Sequence, residues 1–116
     1  MDGYGNKFYY NSNGKYHRDD KDPITGYTLP AVSHINGIMK VWYNNGKLHR
    51  DDRDLITGYT LPAIEFANGN KSWCNNGKRH RDDVDPITGM ILPAVEWSDG
   101  HNEWWIDGVR YIIIKI

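Results

Sequence analysis

At 116 residues, with 14 Lys+Arg against 15 Asp+Glu and a formal net charge of −1, the chain is one domain's worth of sequence with no electrostatic bias. That balance excludes the broad positive field by which proteins grip nucleic acid or an anionic membrane. The single cysteine, Cys74, excludes an internal disulfide, and no apolar run approaches the length of a bilayer span.

Aromatic residues reach 13 %, mostly Tyr and Trp, and Asn-Gly pairs recur. Strands favour the first and tight turns the second, so an all-β chain is expected. Met1-Asp2-Gly3-Tyr4 carries neither the basic nor the apolar segment of a secretion signal, so a soluble, cytoplasmic protein is expected.

An internal repeat dominates the chain. His17-Arg18-Asp19-Asp20 returns as His49-Arg50-Asp51-Asp52 and as His80-Arg81-Asp82-Asp83, at steps of 32 and 31 residues. Asn13-Gly14-Lys15, Ile24-Thr25-Gly26 and Leu29-Pro30-Ala31 return in the same register. Four units follow, at approximately 1–29, 30–61, 62–92 and 93–116.

In the first unit a strand begins near Gly3-Tyr4-Gly5, with Tyr10 in the aromatic position four residues before the turn glycine. Each later unit opens with a strand after Leu-Pro-Ala. In these strands Val32 and His34, Ile64 and Phe66, and Val95 and Trp97 share one face. Ala63, Glu65 and Ala67 take the other face in the third unit. An Asn-Gly or Asp-Gly turn leads to a second strand carrying Trp42, Trp73 or Trp104, then a second turn and the His-Arg-Asp-Asp segment. Both central residues of a type I′ turn need positive φ, which Asn-Gly supplies at least cost. A single hairpin cannot bury its apolar face, so neighbouring units must cover one another in an elongated, twisted sheet or solenoid. The last unit ends in Ile112–Ile116, an apolar edge that either packs back on the core or pairs with the edge of a partner, as in a homodimer.

The run from Asn-Gly-Lys through His-Arg-Asp-Asp to Pro-Ala, followed by an aromatic strand and Asn/Asp-Gly, resembles MORN-type β-hairpin repeats. It is similar in particular to the Asn-Gly-Lys-x-His-Arg…Pro-Ala repeats of bacteriophage and giant-virus proteins. The resemblance covers nearly the whole chain. It implies stacked hairpins used as an interaction surface, in a phage or viral accessory protein. Such a protein would act in the host-cell cytoplasm, binding and inhibiting a host protein or a defence complex, as anti-CRISPR proteins do.

Several constellations could carry chemistry. The loops place Asp20 and Asp22, Asp52 and Asp54, and Asp83 and Asp85 before a turn glycine, an arrangement that suits a calcium loop or, equally, a capped turn. Asp beside Arg in the same motif suggests an internal ion-pair ladder. The column of His17, His49 and His80 could bind a metal or hydrogen-bond the neighbouring Asp. Arg18, Arg50 and Arg81 could form a stripe that sequesters a nucleotide or another ligand in the loops, or a partner contact. Tyr27, Tyr43, Tyr59, Trp105 and Tyr111 exceed what a core needs and suit a protein interface. Three equivalent copies of each group give no single converging triad, so a non-enzymatic binding or scaffold protein without a cofactor is expected, with a protein as the partner and no membrane.

Overall fold

A computed structural model describes residues 5–112. The described chain is all-β, elongated at 52 × 27 × 25 Å, with a single 3-10 turn at Ile35–Gly37. Eight strands form one antiparallel sheet in the order β1 (Lys7–Phe8), β2 (Val32–Ser33), β3 (Met39–Val41), β6 (Ile64–Phe66), β7 (Lys71–Ser72), β10 (Val95–Glu96), β11 (Asn102–Ile106) and β12 (Val109–Tyr111). Two hairpins stand apart from it: β4 (Tyr43–Asn44) with β5 (Lys47–Leu48), and β8 (Cys74–Asn75) with β9 (Lys78–Arg79).

Cross-strand register assigns the two faces of the sheet. One row runs Phe8, Val32, Val41, Ile64, Ser72, Val95, Glu103. The adjacent row, on the opposite face, runs Lys7, Ser33, Lys40, Glu65, Lys71, Glu96, Asn102. From Lys40 to Glu96 the charges alternate in sign from strand to strand, a pairing that stabilises neighbours and penalises a slipped register.

Between β3 and β4 the chain passes through Trp42, and between β7 and β8 through Trp73. Each indole-bearing residue serves two ladders. Trp42 N–H donates to Ala63 O at 2.8 Å, while Trp42 O accepts from His49 N–H at 3.1 Å. Trp73 repeats this with Ala94 and His80 at 2.7 and 3.0 Å. In the first unit the residue that does so is Tyr9, bonded to Ala31 O and His17 N–H. Counting back from the glycine points to Tyr10, but the Asn11–Lys15 turn is one residue longer than its successors, which moves the aromatic position by one.

The hairpin turns at Asn45-Gly46, Asn76-Gly77 and Asp107-Gly108 have positive φ at both central residues, as type I′ turns require. Asn68-Gly69 does not: only Gly69 has positive φ. There the Asn68 side chain accepts the Asn70 N–H instead, and the bend closes through Gly69 N–H to Phe66 O. The tightest packing is on the alanine side of the opening strands. Ala31, Ala63 and Ala94 are buried with Trp42 and Trp73, along with Val32, Val41 and Val95 from the other face.

Candidate interaction surface

The His-Arg-Asp-Asp motif is spent on joining one unit to the next. Arg50 is buried; its Nε donates to Asp52 at 2.8 Å and its Nη1 to Pro62 O and Glu65 at 3.1 and 3.3 Å. Its guanidinium carbon lies 3.8 Å from the centroid of the Trp42 ring. Arg81 repeats the set with Asp83, Pro93 O, Glu96 and Trp73. Arg18 does so more openly, with Asp20, Pro30 O and the Tyr9 ring.

The second Asp is the anchor for the preceding loop. Thr28 donates both its N–H and its hydroxyl to Asp52, and Thr60 does the same to Asp83. Trp42 Nε1 donates to Thr28 O at 2.7 Å and Trp73 Nε1 to Thr60 O at 2.7 Å, so each loop is tied at two points. Burial alone would raise the Asp52 carboxyl. The Arg50 hydrogen bond and the two donors of Thr28 outweigh it and hold the group below the usual carboxylate range.

Each histidine bridges in the same way. His17 Nδ1 accepts the Asn45 N–H, His49 Nδ1 that of Asn76, and His80 Nδ1 that of Asp107. An accepting Nδ1 leaves the proton on Nε2, which faces Asp19 at 2.8 Å, Asp51 at 2.6 Å and Asp82 at 3.6 Å. The third acid of each loop caps its own turn. Asp22, Asp54 and Asp85 each accept two amide N–H groups, as from Ile56 and Thr57 at 2.8 and 2.9 Å. Those amides hold Asp54 below its ordinary range. Among the described residues no group of three or more His, Cys, Asp or Glu side chains converges as a metal site would need.

Of the aromatic candidates, Tyr27, Tyr43, Tyr59 and Trp105 are half-buried and engaged internally, and Tyr111 is exposed. The Tyr27 hydroxyl accepts the Leu55 N–H, and Tyr43 packs on Tyr16 with ring centroids 5.0 Å apart. Trp105 donates to Glu103 and lies beside Arg79. Glu103 also accepts from Trp97; the Trp105 bond leads in holding it below its ordinary range. Of the Ile112–Ile116 edge, Ile112 is exposed and the rest lies outside the described residues.

An open apolar surface lies on the other face of the sheet. A groove of about 390 Å³ lies between the sheet and the second free hairpin, floored by Ile64, Phe66, Val95 and Trp97 and walled by Leu48 and Cys74. Phe66 and Trp97 remain 41 % and 44 % exposed. Arg79 and Lys71 also line it, adding positive charge. Burial pushes the Cys74 thiol up, which keeps it an apolar wall rather than a nucleophile. Phe66 and Trp97 are readable in sequence as sharing a face with Ile64 and Val95. What marks that face as the open one is the alanine at the packed face, a small residue where a Trp and an Arg crowd in.

Among the described residues no helix is long and apolar enough to cross a membrane. Comparison with protein-family models, curated proteins and solved structures finds no match.

Proposed function

We propose that this protein is a non-enzymatic binding module built of MORN-like hairpin repeats in a solenoid, and that its partner is a protein seated in the groove over Ile64, Phe66, Val95 and Trp97. The observation that carries this reading is the pair of half-exposed aromatics, Phe66 and Trp97, on an apolar floor that the chain's own loops leave uncovered. Aromatic anchors in a recess dominate protein interfaces. Arg79 and Lys71 at the lining favour a partner segment with apolar side chains flanked by acidic ones. The polar motifs argue against catalysis, because the His, Arg and Asp of each copy are committed to internal bonds. If the resemblance to viral repeat proteins holds, the partner would be a host-cell protein, and a module of this size would act by occluding it.

The test is native mass spectrometry of the protein purified gently from cells that express it, beside a Phe66→Ser/Trp97→Ser variant and an Ile56→Asp control. Ile56 is 95 % exposed at a loop tip far from the groove lining, and all three proteins should keep their circular dichroism spectrum. A protein mass retained by the control and lost from the groove variant is the expected result. A partner that stays bound to the groove variant would place binding elsewhere.

A further inference from the structure

The third loop departs from the first two at the positions that reach toward the next copy. Val84 stands where Lys21 and Arg53 do, Met90 where Tyr27 and Tyr59 do, and Ile91 where Thr28 and Thr60 do. The backbone frame is unchanged. Val84 bridges Ile91 as Lys21 bridges Thr28, and Trp104 Nε1 donates to Ile91 O at 2.9 Å as Trp42 Nε1 does to Thr28 O. The same frame thus turns an apolar side outward at this end. Val84, Met90 and Ile91 are all exposed, and Trp104 is half-buried where Trp42 and Trp73 are buried. Met90, Ile91, Leu92, Pro93 and Trp104 line an open recess of about 510 Å³. Its polar lining is Thr88, Asn102 and Asp85, whose carboxylate already accepts two backbone amides. The ends of a stacked repeat are ordinarily finished with polar residues, so an apolar end marks a contact. We infer that this end face binds a second copy of the chain, the two protomers meeting end to end about a twofold axis.

In the earlier copies the next motif covers this position, with Arg50 and Arg81 lying over Trp42 and Trp73. Ile112 stands eight residues after Trp104, as each of those arginines does after its tryptophan, yet it is 84 % exposed and does not cover the indole. The cover has to be apolar, because no threonine is left to bind an aspartate and no cation to bind an acid. An identical face meets that requirement. The opposite end of the molecule does not. Asp20 stands there where Asp52 does, and its side chain is 69 % exposed against 6 % for Asp52. An open filament would press this carboxylate on Ile91, whereas a twofold contact sets apolar groups against their own kind and closes.

The sheet edge beside the recess favours the same arrangement. β12 is the last strand of the sheet and pairs with β11 alone among the described residues. Its Tyr111 lies opposite Trp104 and so shares the face of that indole. Two β12 strands pairing antiparallel would continue the sheet from one copy to the other. Centred on Tyr111, that pairing sets Arg110 opposite Ile112 and avoids facing two guanidinium groups.

The experiment is sedimentation velocity of the full chain over a concentration series, beside a Val84→Lys/Ile91→Thr variant. That variant installs the residues of the first loop, where Lys21 Nζ donates to Thr28 Oγ1 at 2.9 Å, so the frame accepts them and the circular dichroism spectrum should be kept. The parent chain should sediment as a dimer at about 100 µM, and the variant should dissociate with a Kd higher by about tenfold or more. A monomeric parent chain at that concentration, as when some other cover occupies the face, would overturn the inference. So would a variant that dimerises as tightly as the parent, or species that keep growing with concentration. The Phe66→Ser/Trp97→Ser variant should remain a dimer, and the Val84→Lys/Ile91→Thr variant should retain the groove's partner, which separates the two contacts.

Discussion

Arg50 combines three favourable terms at one guanidinium: a short ion pair to Asp52, a carbonyl acceptor at Pro62 and a stacked indole below. The arrangement explains why the motif repeats as Arg-Asp-Asp and not as any basic-acidic run. Lysine lacks the planar fork that donates sideways while stacking. Removing the guanidinium leaves Asp52 buried and without its counter-charge, so Arg50→Met should cost about 3–5 kcal/mol in urea unfolding. The same change at Arg18 should cost about 1 kcal/mol, because its partner Asp20 is 69 % exposed and water replaces the pair. Equal losses at the two sites would mean that the stacked ring, and not the buried pair, carries the energy.

At the level of the hairpin, the turns set where each strand stops. Gly77 sits at φ +86°, and a Cβ there would touch only the Lys47 stem at an ordinary 3.7 Å. Gly77→Ala should therefore lose about 1–2 kcal/mol through backbone conformation alone, readable as a lower denaturation midpoint with an unchanged slope. These turns were legible in the sequence, since Asn45-Gly46 and Asn76-Gly77 lie between short alternating runs. The Asp caps of the loops were legible too, because Asp two residues before an amide is a local arrangement. The displaced aromatic at Tyr9 was not, because one extra turn residue shifts the strand before it by one while Tyr10, beside it, keeps the expected spacing from Gly14. Nor was the burial of Arg50 and Arg81, which depends on Trp42 and Trp73 arriving from another part of the chain. Sequence pattern assigned the faces of the opening strands; which one closes follows from the alanines only once Trp42, Trp73 and the arginines are seen to pack over them.

Across the whole molecule a few hydrogen-bonded carboxylates are shifted in the same direction. Asp52, Asp54 and Glu103 are all held below their ordinary ranges in the folded chain. A depressed folded value means the stability is fully present above the unfolded value and is lost as pH falls through the folded one. The stability contributed by these carboxylates should thus be flat from neutral pH down to about 5 and decline once pH drops below about 4, where unfolded carboxylates take up protons. Urea titrations at a series of pH values measure this. Asp52→Asn should start from a lower plateau and decline less steeply. A steeper fall in that variant would remove Asp52 from the account.

The tie from Thr28 to Asp52 is remade, one motif later, from Thr60 to Asp83. The middle copy therefore extends a threonine forward and offers an aspartate backward. A gene that gained or lost one whole period of 31 or 32 residues would leave every such clasp closed, whereas a change of any other length would strand a donor on one side and an acceptor on the other. The length of this protein is in that sense quantised, and its surface grooves would be added or removed in the same whole steps.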